Sequence, residues 1–131
     1  MMRSRGAPLR GLRFAAVHMG VFDFSVHVVV GDLTRALGYA RWLYGDPDIR
    51  LADDHHPPRG LCFHRPGYCP IVWIPSRPRT PRQFSTVAHE AHHAVSYAMR
   101  WAGIEHTAET EEVFAHSLGF LVTRILEIAR G

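Results

Sequence analysis

The chain contains no lysine and no asparagine, and all 15 of its basic residues are arginine. Such uniformity reads as a high-GC codon signature rather than a physical adaptation. Long apolar runs are also missing. No segment approaches 18 uninterrupted apolar residues, so a membrane-spanning helix is not expected. The arginine-bearing start (Arg3, Arg5, Arg10, Arg13) has neither an apolar h-region nor a small-residue cleavage site, so no secretory signal peptide is expected. Cysteine occurs twice. Cys62 and Cys69 stand on two proposed hairpin strands, where facing positions would permit a disulfide or a two-thiolate share of a metal site. A structural zinc needs two further ligands, and His64 is the one neighbour on offer, so both cysteines are expected as packed small hydrophobes.

What remains is enough for a folded domain. At 131 residues with 47% hydrophobic content, residues 1–131 are expected as a single domain with its own core. Residues 1–20 form a basic segment with no assigned element, expected to be flexible. Phe22, Phe24, Val26, Val28 and Val30 alternate with Asp23, Ser25 and His27, a half-buried strand over Val21–Val30. Asp32 caps a helix from Leu33 to about Tyr44, closed by Gly45. Residues 46–59 read as a loop. Its Asp53-Asp54-His55-His56-Pro57-Pro58 invites a second metal site, but is better explained as solvated loop. Two β-rich runs, Gly60–His64 and Tyr68–Ile74, follow around Arg65-Pro66-Gly67, a hairpin signal. Pro70 cannot donate to a ladder and assigns Ile71–Ile74 to a sheet edge. The expected class is α+β, with a mainly antiparallel three-stranded sheet packed with three helices.

Chemistry concentrates in His89-Glu90-Ala91-His92-His93. In an uninterrupted helix, residues i and i+4 stack, so His89 and His93 can offer nitrogens to one ion while Glu90 reaches a water beside it. At this composition, H-E-x-x-H arises by chance in roughly 3% of shuffled chains, so context must support it. Thr80-Pro81-Arg82-Gln83 supplies a capping-box start, and no Pro or Gly intervenes before Gly103, giving a helix over about 81–102. Val87, Ala91, Ala94, Val95, Ala98 and Trp101 form its apolar stripe. His89 and His93 lie beside that stripe rather than in it.

A second helix is expected over about 108–130, capped by Thr107, with Glu109, Glu111 and Glu112 in its first turns. Acids there complement the helix dipole. A catalytic zinc with two histidines also needs a third protein ligand. Glu112 is favoured because Ala115 and Gly119 follow at i+3 and i+7, a line of small residues that would let the two helices approach. Glu111, aligned with Phe114, Leu118 and Leu121, is the alternative, and His106 in the intervening turn is the weaker third choice.

H-E-x-x-H on one helix, a Glu on the next and a hairpin before both resemble the gluzincin branch of zinc metallopeptidases in a minimal, single-lobe form. The stretch from Val72 through Leu121, under half of the chain, also resembles small H-E-x-x-H proteins of tailed phages. Those carry E-x-x-A and Gly-x-Leu where Glu112-Val113-Phe114-Ala115 and Gly119-Phe120-Leu121 stand. Metzincins do not fit, since Ser96 and Met99 occupy the positions of their Gly and His. The resemblance implies a zincin-like domain in which Zn2+ is held by His89, His93 and Glu112 and Glu90 is the general base.

The leading expectation is a zinc-dependent hydrolase, a metallopeptidase acting on a peptide or protein paired to the edge strand Ile71–Ile74. His116, one turn beyond Glu112, would steady the oxyanion or support the ligands. The alternative is a zincin-fold structural or assembly component of a phage particle, without turnover, whose partners are particle proteins. Location is expected in the host cytoplasm or the virion. Nucleic-acid binding is not expected. The pI is near 9.3 and Arg77, Arg79 and Arg82 cluster, but net charge is only +3 and no binding motif is present, so these arginines read as a solvated loop at the cleft rim.

Overall fold

The computed structural model describes residues 6–51 and 58–131. The acidic and histidine-bearing stretch from Asp53 to Pro57 lies outside the described residues. β1 (Arg13–Met19) and β2 (Phe24–Val30) pair antiparallel, with Arg13 opposite Val30 and Met19 opposite Phe24. A 3-10 turn over Gly20–Phe22 joins them and closes on Asp23, whose φ of 47° is one that Asp tolerates better than most side chains. β1 occupies residues 13–19 of the basic segment expected to be flexible over 1–20, of which residues 1–5 lie outside the described residues. Only Val17 and Met19 of this strand are buried, and Ala15 and Ala16 are weak strand formers, so its alternation is faint in sequence.

α1 (Leu33–Tyr44) starts where Asp32 accepts the Arg35 N–H at 3.2 Å. It stops at Gly45, φ 62°, where the N–H groups of Gly45 and Asp46 donate to the carbonyls of Trp42 and Arg41 in a Schellman arrangement. β3 (Leu61–Phe63) and β4 (Ile71–Ile74) pair antiparallel, whereas β4 runs parallel to β2, with α1 in the crossover that a parallel pair requires. Sheet order is β1-β2-β4-β3, so the sheet is four-stranded and mixed rather than three-stranded and mainly antiparallel. The α+β class stands.

Ile71–Ile74 is therefore not an edge. Val72 faces Val28 on one side and Cys62 on the other, and all four residues of β4 are buried. Pro70 precedes the strand, where its missing N–H costs the ladder nothing, and its carbonyl accepts the His27 N–H at 2.9 Å. The unbroken Ile-Val-Trp-Ile run carries the mark of a strand covered on both faces. α1 packs Ala36, Tyr39 and Ala40 on one side, against Val29, Ile71 and Trp73. On the other, α2 (Pro81–Trp101) and α3 (Glu111–Arg130) cover Val17, Val26, Val28, Val72 and Ile74. β2, expected as half-buried, is thus sandwiched.

α2 keeps both halves of its capping box. Thr80 Oγ1 accepts the Gln83 N–H, and Gln83 Oε1 accepts the N–H groups of Thr80 and Arg79. At its far end Gly103 takes φ 72°, and the Ile104 N–H reaches the Met99 carbonyl at 2.9 Å. α3 begins at Glu111, later than expected, with Thr110 as N-cap and not Thr107. The Thr107 N–H donates to Thr110 Oγ1 at 2.8 Å, and that hydroxyl donates to the Glu105 carbonyl, so a turn consumes the residues expected to start the helix. Among the described residues, no helix is long and apolar enough to cross a membrane.

Candidate metal centre

α2 is two-faced. Val87, Ala91, Ala94, Val95 and Ala98 face the sheet, while His89 and His93 stand exposed beside them. Their Nε2 atoms are 3.1 Å apart, with the rings edge to face. Two nitrogens at 2.0–2.1 Å from one tetrahedral ion would stand about 3.4 Å apart, so the pair is close to ligand spacing. The same contact serves as a hydrogen bond when one ring carries its proton on Nε2. Glu90 completes the group. One ligand atom from each of His89, Glu90 and His93 lies within 4.8 Å of the others.

Glu90 is only 7% exposed, unusual for a carboxylate. Burial pushes its pKa up, and the neighbouring His89 and His93 pull it back. β3 creates that burial. A Cβ added to Gly60 would stand 2.6 Å from Thr86 Cγ2 and 3.2 Å from Glu90 Cγ, so only a glycine lets the strand start lie this close to α2. Burial, with the Glu90 charge second, pushes the Cys62 thiol up to about 12. Both cysteines are free, and Cys62 packs with the core. Further along, the Tyr97 hydroxyl donates to the Arg65 carbonyl and its ring lies 5.0 Å from His64, clamping the hairpin turn to α2. A cavity of about 470 Å³ opens at this edge, its lining including Arg59, Gly60, Arg82, Thr86, His89 and Glu90. Arg82 lines this cavity, whereas Arg77 and Arg79 line a different one.

The acidic turn of α3 is not brought to this group. Glu111 and Glu112 are both exposed, and neither joins the histidines in the cluster. The small-residue line that favoured Glu112 faces solvent. Ala115 and Gly119 are exposed, and a Cβ on Gly119 would meet nothing within 4 Å. α3 packs instead through Phe114, Ser117, Leu121, Ile125 and Ala129. Phe114 sets this rotation: it meets the His92 ring edge-on at 5.0 Å and stacks on His106 at 4.4 Å. His106 is held there, on a cavity of about 420 Å³ with Met99, Arg100 and Glu105. His116 is exposed on the outer half of α3.

Two features escaped sequence reasoning. Gly60 could have been found, because a glycine opening a strand marks a close backbone approach. The stack of His92, Phe114 and His106 had no local signal, since it joins two helices and the turn between them. Compared with known proteins, the chain matches no family model, no curated protein and no solved structure.

Proposed function

We propose that α2 carries the zinc site of a hydrolase, with His89 and His93 as protein ligands, Glu90 as general base and a peptide bond as the target. The observation that carries it is the 3.1 Å separation of the two Nε2 atoms beside a buried carboxylate at an open cavity. Zinc held there would supply a Lewis acid that polarises the scissile carbonyl and acidifies water. Glu90 takes the proton of the attacking water and returns it to the leaving amine, and its desolvated surroundings raise its basicity for that task. β3 is an edge strand among the described residues and follows directly on Gly60, which lies beside Glu90, so an extended substrate pairs with Leu61–Phe63 in place of Ile71–Ile74.

The third ligand is assigned to the acidic start of α3, Glu112 with Glu111 as the alternative, and reaching the histidines requires the 103–110 connection or the first turn of α3 to move. His116 on the next turn would then support the oxyanion. Glu112→Ala is expected to weaken zinc affinity at least tenfold, while Glu109→Ala costs only a dipole contribution of about 0.3–1 kcal/mol in stability. Zinc titration against a competing chelator reads the difference. If Glu111→Ala weakens binding and Glu112→Ala does not, the ligand is the neighbouring carboxylate.

Turnover is tested at Glu90. Glu90→Gln keeps shape and hydrogen bonding but removes the basic site, so fold and zinc content should persist while peptide cleavage falls about 10²–10⁴-fold. Cleavage unchanged by the substitution, or insensitive to a chelator, would come from another source. One observation favours a second reading: among the described residues, no carboxylate besides Glu90 joins the histidines. A zincin-like component of a phage particle, without turnover, needs none, and would co-purify in stoichiometric complexes with particle proteins.

A further inference from the structure

Away from the histidines, the C-terminal ends of β2 and β4 border a cavity of about 520 Å³ whose charged lining is Arg13, Arg77, Arg79 and Arg130. No carboxylate lines it. Among the described residues, none of these four arginines has a carboxylate within 4.0 Å. Part of the cluster has an ordinary explanation. The last carbonyls of α3 attract cations, and Arg13 donates to the Ala129 carbonyl at 2.6 Å. That accounts for Arg13 and Arg130 but not for Arg77 and Arg79, which arrive from the link between β4 and α2.

Local structure holds the link in place. Gln83 Oε1 accepts the Arg79 N–H at 2.6 Å, and the Ile74 carbonyl at the head of the link accepts the Gly31 N–H at 3.1 Å. The far wall is backbone. Gly11 and Gly31 both have positive φ, and a Cβ on Gly31 would stand 2.9 Å from Leu12 Cδ2. Three segments distant in sequence therefore deliver four guanidinium groups to one concavity with no carboxylate in its lining among the described residues, while the acidic Glu127 lies on the adjoining cavity that Arg77 and Arg130 also line. Such convergence is unfavourable by itself and becomes favourable when an anion shares the site. Guanidinium forks match the oxygens of a phosphoryl group in charge and geometry.

We infer that this cavity binds a phosphate-bearing anion. The inference is independent of the zinc site, because no residue of the histidine group lines the cavity. Its test is calorimetric titration of the purified full chain with inorganic pyrophosphate, in wild type and in an Arg77→Ala/Arg79→Ala variant. Both residues are exposed, so the variant should keep its circular dichroism, melting temperature and zinc content. Saturable binding by wild type and a loss of about tenfold or more in the variant are expected. Arg79→Glu, which reverses one charge, should weaken binding further than Arg79→Ala. His93→Ala should bind pyrophosphate as wild type does. No saturable binding at millimolar pyrophosphate, or equal affinity in wild type and the double variant, overturns the inference, and so does loss of binding in His93→Ala alone.

A second arm identifies the source of the phosphate. If a short single-stranded oligonucleotide displaces pyrophosphate, with an affinity that falls steeply with salt, the ligand is a nucleic-acid backbone. If pyrophosphate binds and the oligonucleotide does not compete, the ligand is a small phosphorylated molecule. Either result supports the site.

Discussion

α2 has two neighbours, and they touch it differently. β3 approaches on the side of Glu90 at backbone distance, through Gly60, which admits no Cβ beside Thr86. α3 approaches on the side of His92 through large side chains, Phe114 foremost, and presents its small residues to solvent. One contact desolvates Glu90. The other sets the rotation of the helix from which the third ligand was expected. A side chain can be read along one helix, whereas a rotation between two helices depends on which bulky residue wins the interface.

The largest effect separating the two contacts falls on α3. Leu121 is fully buried, so Leu121→Ala is expected to cost about 2–5 kcal/mol, measured by denaturant unfolding. A cost below about 1 kcal/mol would mean that α3 does not pack through this row.

What could be read in advance follows the same division. Both ends of α2 are written locally, in Thr80-Pro81-Arg82-Gln83 and in Gly103, and both are as expected. α1 was equally legible from Asp32 and Gly45. The i, i+4 stacking of His89 and His93 needs only helix geometry. β1 was missed because its buried face holds two residues and two alanines dilute its pattern. Pro70 misplaced β4 at an edge because a proline before a strand and one within it look alike in sequence. The parallel pairing of β2 with β4 has no local signature at all, since it is decided by α1 folding back on the sheet. Glu112 was chosen on the premise that small residues mark a helix contact, and here aromatic stacking on Phe114 overrides it.

The contact with β3 is broken more gently. Gly60→Ala places a methyl against a β-branched residue fixed in α2, and overpacking of this kind costs about 1–3 kcal/mol. If the close approach matters to the site, cleavage should fall by more than the stability loss explains, because Glu90 Cγ is the next atom the new methyl meets. Thermal unfolding and a cleavage assay on the same preparation separate these effects. Unchanged stability would show that β3 shifts freely.

The smallest effect has the opposite sign. Gly119 lies mid-helix with open space where a side chain would go, so Gly119→Ala should stabilise by about 0.5–1 kcal/mol. Destabilisation would place α2 or a partner against the line that faces solvent here, and would reopen the approach that favoured Glu112.

The proposed chemistry requires that α2 hold a metal. Elemental analysis of the purified chain beside His93→Ala tests that most directly. Wild type should contain one zinc per chain and the variant close to none. Equal zinc in both, or none in either after purification with zinc present, would contradict a metal site at His89 and His93.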